Sequence, residues 1–222
     1  MSTTCSPARL RLPVPGLRLR GGAALVVLCW LMVVGTGFAA LLQYKATPGN
    51  TAGPATAEQA SFPEDVPLQR HADRPTLLMF AHPCCPCTTA SLRELTAIIA
   101  ESPQLQPATV IFTLPPGAPA EWRSTPLVEQ ARQTNGLRVW LDEEALLTKR
   151  FGVQTSGHVL LYDATGRTQF SGGITSLRGH EGWNAGRGTI AAICQNLSCE
   201  RQTTPVFGCP LLTPPSRAGG TQ

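Results

Sequence analysis

Between Thr76 and Ile99 the sequence changes its apolar period once, and three cysteines stand at the change. Thr76, Leu77, Leu78, Met79 and Phe80 form a continuous apolar run of β type. Beyond it, Leu92, Leu95, Ile98 and Ile99 recur at helical spacing on one face. His82-Pro83-Cys84-Cys85-Pro86-Cys87 lies between the two patterns. Ser91 and Glu94 have capping-box spacing, but the helix is expected to begin earlier, near the cysteines. Strand, Cys-x-x-Cys and helix in that order are the local signature of a thiol–disulfide site.

The chemistry follows from the helix start. Its unpaired N–H groups carry partial positive charge and favour a thiolate over a thiol. A cysteine with an ordinary pKa of ~8.5 falls to roughly 3.5–7.5 in such a place. Pro86 gives up one N–H and fixes its φ, which a first helical turn tolerates. Cys84, Cys85 and Cys87 are therefore the candidate catalytic thiols, with His82 placed to tune them. Cys84 and Cys87, at i and i+3, rank first as a disulfide pair, within the ~4.4–6.8 Å Cα range. Cys85–Cys87, closing a smaller and strained ring, ranks second. The same thiolates with His82 or His158 would suit Cu(I) or zinc, so a metal-binding or metal-delivery module is the alternative to redox exchange. In the redox reading no cofactor is required.

Ala23 to Leu42 is an uncharged, mostly apolar run of 20 residues, enough to cross a bilayer core of ~30 Å as a helix. Arg9, Arg11, Arg18 and Arg20 precede it, which predicts a cytoplasmic basic N-terminus (1–22) and an exported remainder. Gly37-Phe38-Ala39 loosely resembles a signal-peptidase site, so a cleaved signal peptide is the rival reading. The run outlasts a usual signal core, and an uncleaved anchor at 23–42 in the inner, cytoplasmic membrane is expected. Setting those four arginines aside leaves the 14 acidic residues matched by as many basic ones. No basic face for nucleic acid is indicated.

Residues 43–66, rich in Thr, Ala, Gly and Pro, read as a flexible linker, and a globular domain is expected over 67–200. Ala108 to Leu114 is a buried-type strand, Pro126 to Thr134 a helix, and Leu137 to Leu141 a short strand. Asp142 is placed to cap a helix running to about Arg150. His158 to Tyr162 and Thr168 to Ser171 form a hairpin, and a last helix spans Ala185 to Gln195. The Pro-rich tail, 201–222, is expected to be irregular. This order gives an α/β sandwich around a central mixed sheet.

At this point the chain resembles the thioredoxin-like superfamily over about Pro67 to Leu197, most closely membrane-tethered TlpA- and ResA-type proteins. The likeness is carried by Phe80–Cys87 and by Phe151-Gly152-Val153 followed by Leu160-Leu161-Tyr162-Asp163-x-x-Gly166. More narrowly, His82-Pro83-x-Cys85-Pro86-Cys87-Thr88, Thr155-Ser156-Gly157, Ser171-Gly172-Gly173-Ile174 and Arg178-Gly179-His180-Glu181-Gly182 are similar to bacterial RedB-like proteins. That likeness implies Cys85 and Cys87 as the active pair, with Cys84 an extra. It also implies exchange with protein thiols and disulfides in the exported compartment.

Two departures stand out. Pro83 precedes the cysteines where thioredoxins often carry an aromatic, and Gly157 occupies the position of the family's cis-proline. A cis bond before a non-proline costs ~2.5–4 kcal/mol, so a trans bond or a repositioned loop is expected there. The resemblance places substrate backbone along Ser156, Gly157 and His158. His180 and Glu181, on a Gly-rich loop before a helix, are further candidate substrate-binding residues. Cys199 and Cys209 are the expected structural disulfide of the tail.

Overall fold

The computed structural model describes residues 21–50, 61–197 and 203–212. It divides into an N-terminal unit, up to Gln43, and a second unit from Tyr44 onward. Helix α1 (Gly21–Ala46) is long and apolar enough to cross a membrane. Its Thr36 hydroxyl returns to the Met32 carbonyl at 2.8 Å, so this polar side chain is satisfied within the helix.

Six strands make one sheet: β1 (Thr76–Ala81), β2 (Ala108–Leu114), β3 (Leu137–Glu143), β4 (His158–Tyr162), β5 (Thr168–Gly173) and β6 (Thr203–Thr204). Their order is β3-β2-β1-β4-β5-β6. β1, β2 and β3 run parallel, β4 is antiparallel to β1 and to β5, and β6 is parallel to β5. The helices are α2 (Cys87–Glu101), α3 (Pro126–Gln133), α4 (Leu146–Arg150) and α5 (Ala185–Cys194). The expected sandwich of helices around a central mixed sheet is what the chain forms.

Every residue of β1 is buried because both faces of the sheet are covered, which is why its sequence is continuously apolar. Leu77, Met79 and Ala81 face α2, whose Leu92, Leu95, Ile98 and Ile99 pack on them with Ile190 of α5. Leu78 and Phe80 face the other way, onto Leu147, Phe151, Val153, Leu160 and Tyr162. Each such side chain contributes roughly 1.5–3 kcal/mol by leaving water. β1 is thereby held from both sides, and the turn that follows it starts from a rigid end.

Asp142 does cap α4, although it lies inside β3: its carboxylate accepts the N–H groups of Leu147 and Thr148, both at 2.8 Å. Glu144 and Ala145, with positive φ, turn the chain between the strand and the helix. Two boundaries differ from expectation. Residues 61–66, expected as linker, belong to the domain: Ser61 bridges Arg167, and the Phe62 ring stands edge-on to Phe151 and Tyr162. The tail is not irregular throughout. Thr203–Thr204 adds the sixth strand, and Val206 and Leu211 are fully buried. Proline-rich composition masked two apolar anchors that fill the edge of the core.

Candidate functional site

The site is built where β1 leaves the sheet. The Cys85 N–H donates to the His82 carbonyl (3.2 Å), closing a turn, and the Thr88 N–H donates back to the Cys85 carbonyl (3.0 Å). α2 then begins at Cys87, with Pro86 as its N-cap in helical φ/ψ. Cys85 thus sits at the mouth of the helix, buried, whereas Cys84 is exposed and Cys87 half-buried.

Cys84 lies in the turn at 82–85, ahead of the first residue of α2. The neighbour that acts on its thiol is Glu121, whose charge adds to desolvation in raising the pKa. Cys84, Cys85 and Cys87, the members of both ranked pairs, are all free thiols in this structure. Cys87 feels both the burial and the charge of Cys85, and its pKa is raised.

Cys85 has a second sulfur neighbour that sequence reasoning missed. Its Sγ lies 2.8 Å from the Sγ of Cys209, 124 residues later in the chain. The Cys209 S–H donates to the Cys85 sulfur, which lowers the Cys85 pKa to about 5 against the opposing effect of burial. The Cys87 backbone N–H and the Thr88 hydroxyl act in the same direction. Cys209 correspondingly holds its proton, its pKa pushed far up. The lowered pKa of Cys85 and the raised ones of Cys87 and Cys209 bias the first sulfur toward the anion and the other two toward the thiol.

Ser156 ties the cysteine turn to the segment carrying Cys209. Its Oγ accepts the His82 N–H at 2.9 Å and bonds the Thr88 hydroxyl at 2.8 Å. Its own N–H donates to the Cys209 carbonyl at 2.9 Å. Thr155 bridges Pro210 in antiparallel fashion, and the Leu211 N–H donates to the Gln154 carbonyl (2.9 Å). Gly157 has φ +87°, and its N–H donates to the Phe80 carbonyl at 2.8 Å. The peptide bond before it is trans, as expected, because the one cis bond among the described residues is Gln106–Pro107. A Cβ on Gly157 would stand 2.8 Å from the Ser91 hydroxyl of α2, so only glycine fits this approach.

The remaining candidates lie on different segments of the chain. Burial lowers the His82 pKa, its Nδ1 accepts the Cys84 N–H at 3.1 Å, and Trp122 lies edge-on at 4.7 Å. His82 shapes the turn. His158 lies on the face of β4 that carries Leu160 and Tyr162, opposite to α2. Its Nε2 meets the Ser171 hydroxyl at 2.9 Å, and burial drops its pKa to about 4. Strand alternation turns it to the face opposite α2, away from the helix that carries Cys87. His180 is exposed, and Glu181 pairs with Arg93 at 2.7 Å on the surface. That Gly-rich loop is tied to α2, where the buried Glu94 accepts the Gly182 N–H (2.6 Å) and Arg187 (3.1 Å). The alternative ligand set is not gathered, and among the described residues no three His, Cys, Asp or Glu side chains are grouped to hold a metal. Cys199, the expected partner of Cys209, lies outside the described residues.

Gly208-Cys209-Pro210 between Val206 and Leu211 was the signal available for Cys209. It is a small residue, a thiol and a proline set between two apolar anchors. Gly208 is needed there, since a Cβ would stand 1.9 Å from the Ser156 carbonyl oxygen. Arg178 donates from Nη1 to the Gly208 carbonyl and holds the same segment from the other side. Its charge also favours the thiolates of Cys87 and Cys209.

No protein-family model matches the chain, and no curated protein matches it. Solved structures do. An uncharacterised conserved protein of Geobacillus kaustophilus is similar at 18% identity and a TM-score of 0.51, over 65% of this chain and 79% of that one. A hypothetical protein of Sinorhizobium meliloti 1021 is similar at 17% identity and a TM-score of 0.51, over 65% and 82%. A secreted Mycobacterium tuberculosis disulfide oxidoreductase homologous to E. coli DsbE aligns at 17% identity and a TM-score of 0.40, over 57% and 84%. At such identities the likeness concerns the fold alone.

Proposed function

We propose that this chain, thioredoxin-like in fold, is a thiol–disulfide oxidoreductase that exchanges with protein thiols and disulfides through Cys85 and Cys87. The domain works on the extracytoplasmic side of the inner membrane, and α1 is its single anchor. The observation that carries the reading is the Cys85 sulfur at the mouth of α2, held as a thiolate with a pKa of about 5 beside the protonated Cys87.

In the reductive direction, the Cys85 thiolate attacks one sulfur of a substrate disulfide. A Cys85–substrate bond forms, the substrate S–S bond breaks, and the released substrate thiolate takes up a proton. Cys87 then loses its proton and attacks the Cys85 sulfur. The Cys85–Cys87 bond forms and the second substrate thiol leaves. Two electrons pass from the pair to the substrate, and the same steps reversed oxidise a dithiol. Cys84, exposed and with a raised pKa, plays no part in this sequence.

The test is alkylation trapping of the full-length protein across a series of glutathione buffers, with mass mapping of the modified cysteines. Reversible, paired protection of Cys85 and Cys87 supports the reading, and the Cys84→Ser protein should behave as wild type. Absence of any reversible change at Cys85 overturns it. Protease accessibility in intact and opened cells tests the orientation, with the domain expected to be digested once the outer barrier is breached.

A further inference from the structure

Resting on the redox reading of Cys85, we propose that Cys209 is a third redox thiol of the site and that residues 206–211 are an internal occupant of its cleft. The tail is a built-in exchange partner for Cys85 rather than a structural staple.

Three independent features place it there. Thr155 and Pro210 form an antiparallel bridge, with Ser156 N–H to Cys209 carbonyl and Leu211 N–H to Gln154 carbonyl on either side. The tail therefore lies on the loop before Gly157 as an added extended strand, held by main-chain bonds. Two apolar side chains, Val206 and Leu211, are fully buried on either side of Cys209 and lock its register. Gly208 admits the backbone to the Ser156 carbonyl at a distance no larger residue would allow. Seated in this way, the Cys209 sulfur comes to 2.8 Å from Cys85, within about 1 Å of the ~2.05 Å of a disulfide bond. Cys85 is left only 2% exposed.

The exchange needs no outside oxidant. In the oxidised protein Cys209 loses its proton and attacks the Cys85 sulfur of the Cys85–Cys87 disulfide. The Cys85–Cys209 bond forms, the Cys85–Cys87 bond breaks, and Cys87 leaves as a thiolate that takes up a proton. One disulfide is exchanged for another, with no net oxidation. In the second form the tail is covalently fastened over the nucleophile, and Cys87, half-buried, is the thiol left free. An incoming substrate must displace the tail to reach Cys85, so the protein holds its reactive sulfur in reserve.

The experiment equilibrates full-length wild type, Cys87→Ser and Cys209→Ala in glutathione buffers, quenches with acid, alkylates and maps disulfides after trypsin. Cleavage after Arg201 and Arg217 puts Cys209 on a different peptide from Cys199, so the two are distinguished directly. The expected result is a Cys85–Cys209 link as the main species in Cys87→Ser. A Cys85–Cys87 link should be the main species in Cys209→Ala, with both in wild type. Cys85 of reduced Cys209→Ala, compared at a pH where it is fully ionised, should alkylate at least tenfold faster than in wild type. Reversible Cys85–Cys87 chemistry with Cys209 free in every variant, or joined to Cys199, overturns this inference and leaves the redox reading standing. If Cys85 never changes state, both fall.

Discussion

Ser156 holds both walls of the thiol cleft: its Oγ takes the N–H of His82, at 2.9 Å, and its N–H reaches the carbonyl of Cys209, also at 2.9 Å. The turn that presents Cys85 and the tail that covers it are thus referred to one residue on a third segment. Substitution of Ser156 by alanine leaves the His82 N–H without its acceptor and should lower stability by about 1–3 kcal/mol. Denaturant unfolding of the reduced protein measures this. An unchanged midpoint would mean that the turn finds another partner.

The ionisation of Cys85 predicts a pH profile. Its folded pKa, about 5, lies below the ordinary thiol value, so the thiolate is fully present at neutral pH and is lost as pH falls through about 5. The ultraviolet thiolate absorbance of the reduced protein, minus that of Cys85→Ser, should show a midpoint there. In Cys209→Ala the largest stabilising donor is gone, and the midpoint should move upward. A midpoint that stays in place would assign the ionisation to the helix mouth alone.

His158 should make the domain acid-sensitive. Its folded pKa of about 4 lies below the ordinary value of 6.5, because the ring is buried. Above pH 6.5 the neutral ring costs nothing, and as pH falls the unfolded chain binds a proton that the folded one refuses. Stability should therefore drop by about 3 kcal/mol between pH 6.5 and 4 from this residue. The slope should shrink in His158→Gln, read from urea midpoints across that range.

A proline at position 157 should harm this chain. At Gly157 the φ of +87° excludes proline, and the N–H bonded to the Phe80 carbonyl would be lost. Gly157→Pro is expected to cost about 3 kcal/mol or more, and Gly157→Ala about 1–3 kcal/mol from positive φ and the Ser91 contact. Thermal unfolding of the two variants gives the order. A stabilised Gly157→Pro would show that the loop switches readily to another path.

Glu94 and Arg187 fasten the Gly-rich loop to α2. Their side chains are 5% and 16% exposed, 3.1 Å apart, and Glu94 also accepts the Gly182 N–H. Arg187→Met strands a buried carboxylate and should destabilise by about 3 kcal/mol, more than Glu94→Gln, which keeps an acceptor for Gly182. Thiol exchange by the surviving folded fraction should be unaltered. A selective loss of exchange in Arg187→Met would tie His180 and Glu181 to the site.

The sandwich was legible because burial on both faces leaves a mark that no neighbour is needed to read. The run Thr76–Phe80 and the helical spacing of Leu92, Leu95, Ile98 and Ile99 declare a buried strand and the helix that covers it. Asp142 was legible as a cap because capping acts over a few residues. The tail was misread for the complementary reason. Val206 and Leu211 are single apolar residues among prolines, with no period, and their partners lie far away in the chain.

At the site the division is the same. The residue order alone set a thiol at the opening of a helix, because strand, turn and helix are local and the amide dipoles come with them. Which thiol is the anion, and which sulfur stands against it, was decided by a contact spanning 124 residues. That contact exists only once the sheet has closed and Leu211 has been drawn into its core. A pattern of neighbours along a chain carries no record of which distant segment will be drawn in beside it.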